Sequence, residues 1–117
     1  MISDAQWDRF AAVITQARSP LRVSVRLNTL RSRIFKDDLV DLLSSLPDCE
    51  VDDQGTYTAG TLTAFDGILI QNASAIDPTP PARLIMTAFE TAGIEPRPVF
   101  ESWNAQRVRI VIGAPPS

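Results

Sequence analysis

Hydrophobic residues return along this chain with two different periods, and each change of period marks an element. Trp7, Phe10, Ala11 and Ile14 recur at i, i+3, i+4 and i+7, one face of a helix. Ser3 precedes the stripe as a cap, and Gln6 stands three residues on as the returning half of a capping box. Ile2 and Trp7 occupy the positions of a hydrophobic staple. The pattern predicts a helix over 3–17, closed before Ser19-Pro20 because a residue preceding proline avoids the α region. Period two takes over in LRVSVRL, residues 21–27. Leu21, Val23, Val25 and Leu27 face one way and Arg22, Ser24 and Arg26 the other, a strand with one apolar face. Beyond the polar break Asn28-Thr29, Phe35, Leu39, Leu42, Leu43 and Leu46 form the stripe of a second helix, which Pro47 ends. CEVD, 49–52, predicts a short strand. Residues 54–66, where threonine and tyrosine are interrupted by Gly55 and Gly60, read as a loose hairpin or an extended excursion.

The second half repeats the plan. GILIQN, 67–72, has three adjacent apolar residues, as in a strand covered on both faces. Thr79 caps the next helix, Pro80-Pro81 fill a first turn where missing N–H groups cost nothing, and Gly93 sits at the C′ position. Its buried stripe is Leu84, Ile85, Ala88, Phe89 and Ala92. Pro96 and Pro98 interrupt the strand EPRPVFES, 95–102, so it should either lie at a sheet edge or begin late. RVRIVIG, 107–113, closes the chain with Val108, Ile110 and Ile112 inward, and 114–117 form a tail. Strand, polar break, helix and strand thus occur twice, in 21–52 and again from 67. Two βαβ units predict a single α/β domain over 1–117 with a small, mostly parallel sheet of order about 2-1-3-4. The terminal strand would join at or beside an edge, parallel or antiparallel. That is a flavodoxin- or Rossmann-like sandwich with an extra N-terminal helix. Arg22, Ser24 and Arg26 fit it poorly: their face is either uncovered or meets a partner.

Composition narrows the chemistry. Of 117 residues 44% are hydrophobic, enough for a core, and none is histidine. Imidazole-based triads and proton shuttles are therefore excluded, and the single Cys49 excludes an intramolecular disulfide and a Cys/His zinc cluster. Cys49 reads as a structural thiol in a reducing compartment. No run approaches the roughly 18 apolar residues of a membrane span and no signal segment opens the chain, so the expected location is cytoplasmic. A net charge of −3 has the wrong sign for a nucleic-acid polymer as partner. The charge is unevenly dealt. Residues 1–36 carry seven bases and two acids, and 37–82 carry nine acids and no base. A molecule polarised in this way associates head to tail or holds an anion on one side, although unevenly distributed surface charge is the plainer account.

No glycine-rich phosphate loop is present, so dinucleotide and nucleoside-triphosphate binding by those motifs is not expected, nor any cofactor. In an open α/β sheet the ligand crevice lies beyond the carboxyl ends of the strands. Asn28, Thr29, Arg31 and Arg33 on one side and Asn72 on the other are the candidate ligands there for a small anion. The alternative is that Asn28 or Thr29 only caps a helix and the arginines are solvated. Asp37 and Asp41 share a helix face, and Asp52-Asp53 follow a strand, but the spacing places no third metal ligand and an acidic helix face is ordinarily just wet. Trp103 is either an anchor for a partner or a lid on the core.

Trp7, the strand 21–27, the helix ending Ala92-Gly93-Ile94, and Val108 through Pro115 together resemble soluble α/β domains of uncharacterised bacterial proteins. Those domains often follow transmembrane helices and end in a V-x-I-x-V-G-x-K-P-like strand. Here Ala114 stands where that pattern has lysine. The resemblance implies a regulatory or sensor domain, tied to a membrane only through a segment upstream. The leading expectation is a non-catalytic, ligand-sensing or oligomerising domain that binds a small anionic or nucleotide-type signal and forms a homo-oligomer. The main rival is a protein–protein interaction module using Arg22, Ser24, Arg26 and Trp103. An enzyme of unknown type ranks third.

Overall fold

The computed structural model describes residues 3–17, 20–28, 30–56, 67–72, 80–100 and 108–113, with backbone alone at Leu30, Thr56, Asn72, Val99 and Phe100. The first helix, α1, runs Asp4–Ile14. The capping box is formed: the Gln6 amide N–H donates to Ser3 Oγ at 3.2 Å, and the Ser3 N–H donates to Gln6 Oε1 at 2.9 Å. Ile2, the other half of the staple, lies outside the described residues. Strand β1 spans Leu21–Leu27, as its alternation requires. A 3-10 turn at Leu30–Ser32 leads into α2, Arg33–Ser45. Strand β2, Cys49–Thr56, outruns the expected 49–52 and takes in the start of the ambiguous stretch; 57–66 lie outside the described residues. Strand β3 is Ile68–Asn72, α3 is Pro80–Thr91, β4 is Pro96–Phe100 and β5 is Val108–Ile112. Gly93 follows α3 with φ +81°, the left-handed conformation a C′ glycine supplies.

The protein is an α/β sandwich, and its sheet is mixed. The strand order is β2-β1-β5-β3-β4. Each βαβ unit is paired internally as expected, β1 with β2 and β3 with β4, both parallel. The correction concerns β5. It lies at the centre, parallel to β1 and antiparallel to β3, so the second unit runs opposite to the first. Burial explains this placement. Val108, Ile110, Val111 and Ile112 are all buried, a pattern for a strand flanked on both sides and not for an edge. The edges go to β2 and β4. Pro96 and Pro98, two residues apart, put both missing N–H donors on one side of β4, which an edge tolerates. On β2 the register slips between Val25↔Asp53 and Leu27↔Thr56, a bulge containing Gly55 at φ +70°.

All three helices among the described residues pack on one face. Phe10 and Ile14 of α1, Leu39 and Leu43 of α2, and Ile85, Ala88 and Phe89 of α3 share one cluster with Val23, Val25, Leu27, Ile68, Ile70, Val108, Ile110 and Ile112. Phe10 and Phe89 approach to 4.8 Å between ring centroids, and Trp7 reaches from α1 to Phe35 of α2 at 5.5 Å. Period two then dictates the other face. It carries Arg22, Ser24 and Arg26 of β1, Glu50, Asp52 and Gln54 of β2, Arg109 and Val111 of β5, Leu69 and Gln71 of β3, and Arg97 of β4. Among the described residues no helix lies on it, and no helix is long and apolar enough to cross a membrane.

Candidate functional site

The reversal of the second βαβ unit disperses the expected anion crevice. Asn28 follows β1, and its N–H donates to Ile112 O at 2.8 Å, which places it beside the end of β5. The start of β3, Ile68, pairs with Ile112 at this same end. Asn72 ends β3, four residues on, and lies about 13 Å away along the sheet. Asn72 therefore does not converge with Asn28, Arg31 and Arg33. The expectation needed β3 parallel to β1, and antiparallel pairing with β5 removes that condition. Thr29 lies outside the described residues.

What stands at the Asn28 end is a set of structural ties. Ser32 is buried and occupies the cap position of α2, yet its Oγ donates to Gly113 O at 2.6 Å and makes no capping bond. The Gly113 N–H donates to Gly67 O at 2.8 Å, joining β5 to the entry of β3. Arg31 and Arg33 are exposed, with Arg33 Nε 3.9 Å from Asp37. Asn28 Oδ1 is buried without a hydrogen-bond partner. As an acceptor it asks for a donor, which an anion does not offer. One turn into α2, the buried Lys36 Nζ lies 3.1 Å from both Asp53 Oδ2 and Asp37 Oδ1. Desolvation is the largest single influence on Lys36 and pulls its pKa down. The hydrogen bonds to Asp53 and Asp37 and their charges outweigh it, leaving the group above its ordinary 10.5. Burial likewise pushes Asp53 up, but the Gly55 N–H, donating at 2.9 Å, and Lys36 bring it below its ordinary 3.8. This cluster pins the bulge of β2 to α2. Asp37, Asp41, Asp52 and Asp53 do not gather as a metal centre: among the described residues no group of three or more metal-ligating side chains could hold an ion.

The residues that do converge are on the helix-free face. Cross-strand register builds one row reading Arg26, Val111, Leu69 and Arg97, and a second reading Asp52, Ser24, Arg109 and Gln71. Ser24 is fully buried and Val111 3% exposed, so the centre of this face is tightly covered by its own surroundings. Arg109 Nη1 donates to Gln71 Oε1 at 3.1 Å, and Arg22 Nε lies 3.6 Å from Glu50 Oε2 at the β2 side. Four arginines against two carboxylates, with an apolar pair in the middle, form a basic platform with an acidic margin. That Arg22, Ser24 and Arg26 share one face of β1 was legible from the alternation of 21–27. Arg97, Arg109, Leu69 and Val111 were missed, because only the central position of β5 brings their strands beside β1. The signal was there in VRIVI, whose alternation sets Arg109 opposite Val108 and Ile110. Trp103 lies outside the described residues. Comparison of the chain with protein-family models, curated proteins and solved structures returned no match.

Proposed function

We propose that this domain is a non-catalytic interaction module whose working surface is the helix-free face of the sheet, and that its partner is an acidic protein surface. The observation that carries the reading is the row Arg26–Val111–Leu69–Arg97, with Arg22 and Arg109 beside it, on the side away from all described helices. Guanidinium groups on a strand face recognise carboxylates by forked hydrogen bonds. The rest of the molecule is acidic, which sharpens the contrast and steers an acidic partner to this one face. The anion-sensing alternative keeps Arg31 and Arg33 but lacks Asn72 in its crevice.

The test is an NMR titration of the labelled protein with an oligoglutamate peptide and, separately, with inorganic phosphate. Amide shifts confined to β1, β5, β3 and β4 on addition of peptide, diminished in Arg26→Glu, are the expected result. Shifts that concentrate on Asn28, Arg31 and Arg33 with either probe would move the site to the α2 end and overturn the proposal.

A further inference from the structure

Lys36 is the only lysine of the 117 residues; every other basic side chain is an arginine, and there is no histidine. It is therefore the one side-chain amine of the chain. Its place is an inner one: with Leu39 and Leu43 it makes up the buried side of α2. The side chain is only 10% exposed, and its Nζ ends between Asp53 Oδ2 of the β2 bulge and Asp37 Oδ1 of α2, 3.1 Å from each. Both carboxylates are exposed, so the amine lies a single side chain below the surface. Buried ion pairs favour arginine, whose planar fork holds carboxylates and keeps its charge at any ordinary pH. In a chain that uses arginine at every other basic position, this tie is made by the one basic group that can give up its proton and form an amide.

We infer that Lys36 is a modification site gated by the fold: it takes an acyl group from a thioester when α2 parts from the bulge of β2, and once acylated it keeps the two apart. The nucleophile in this step is the neutral amine. In the closed state Asp53 and Asp37 hold Nζ protonated and their side chains cover it. On opening, the ammonium gives one proton to water and its nitrogen attacks the thioester carbonyl carbon. The C–N bond forms and the C–S bond breaks; the electron pair leaves on sulfur, which takes up the second proton of the amine and departs as a thiol. The amide left on Lys36 is neutral and offers one N–H where the ammonium offered three, so it cannot restore both ties. The seam is placed where opening is easiest. β2 is an edge strand, its register with β1 slips beside Asp53, and Gly55 takes φ +70° in that slip. Leu39 and Leu43 lie further along α2, so its first turn can lift while the core stays closed. The helix-free face takes no part, and the inference stands apart from the function proposed above.

The test is acetylation of the folded full chain by a small acetyl thioester at pH 8, with Nα-acetyllysine amide in the same tube as reference amine, followed by peptide mass spectrometry. Lys36 is expected to react at least about tenfold more slowly than the reference in buffer, and at the reference rate in urea that unfolds the chain. Asp53→Asn loosens the gate at nearly constant shape and is expected to raise the rate in the folded chain at least about twofold. Asp37→Asn, an exposed change on α2, serves if that variant fails to fold. Chain acetylated in urea and returned to buffer is expected to unfold at a lower urea concentration than mock-treated chain, by the same shift that Lys36→Gln produces. Lys36→Arg keeps the tie and has no amine, so the same treatment should leave its midpoint where it was. Folded chain that reacts as fast as the reference overturns the gate, as does an unchanged rate in both aspartate variants. An acetylated chain with the parent's midpoint, or an equal shift in Lys36→Arg, overturns the claim that acylation at Lys36 holds the seam open.

Discussion

Replacing Lys36 by methionine tests the tie between α2 and the β2 bulge. The change keeps the unbranched stem and removes the charge. Two contacts vanish, each 3.1 Å long, to Asp53 and to Asp37. A hydrogen bond between charged groups contributes about 1.5–3 kcal/mol when the partner left behind stays dry. Here the stranded carboxylates are 41% and 51% exposed, so water resolvates them and each contact shrinks to about 0.5 kcal/mol. The expected deficit is therefore about 1 kcal/mol at neutral pH, far from the 3–5 kcal/mol of breaking a fully buried pair. For a domain of 117 residues that lowers Tm by about 4 °C. The pH dependence has a definite sign. Asp53 is depressed below 3.8 in the folded state, so its contribution is present above 3.8 and lost as pH falls through the lower folded value. Lys36 is raised above 10.5, so its contribution is present below 10.5 and lost as pH rises through the higher folded value. The deficit of the variant is thus level through the neutral range and shrinks in acid. Urea unfolding followed by circular dichroism, at neutral pH and below the Asp53 transition, measures both. A variant as stable as the parent at pH 7, or one whose deficit persists unchanged in acid, would refute the argument.

Ser32→Ala removes the 2.6 Å bond to the Gly113 carbonyl and should cost about 1–2 kcal/mol in urea. Ser32 makes no capping bond, so the helical circular dichroism of the folded state should not change. At Gly93 an added Cβ meets only Gln6 Nε2 at 3.7 Å, so Gly93→Ala should lose about 1–2 kcal/mol through the φ of +81° alone. Burial holds the Cys49 thiol above its ordinary 9.0, so iodoacetamide should label it slowly at neutral pH and rapidly once urea unfolds the chain. Equal labelling rates in the two states would contradict that burial.

Local signals were legible wherever one residue's surroundings are its own neighbours in sequence. The capping box of Ser3 and Gln6, the strand 21–27 and the glycine after α3 are of this kind, and so is the exile of a proline-bearing strand to an edge. Topology was not legible. Nothing within VRIVI says which strands flank it, and a repeat of strand, helix and strand is satisfied whether its second unit runs with the first or against it. That single reversal carried Asn72 to the far end of the sheet and brought Arg97 and Arg109 onto the face of Arg22 and Arg26.

The central position of β5 also bears on how the protein is made. No backbone pairing joins β1 to β3 directly; β5 supplies both seams. As the chain emerges during synthesis, each βαβ half has its own partner strand, but the inner margins of β1 and β3 stay open until residues 108–112 follow. During that interval two apolar, unpaired strand margins face the cell, a ready template for pairing with a neighbouring nascent chain. The last strand of the sequence is therefore the step at which folding outcompetes misassembly, and a truncation before Val108 should yield two half-sheets in place of a shortened fold.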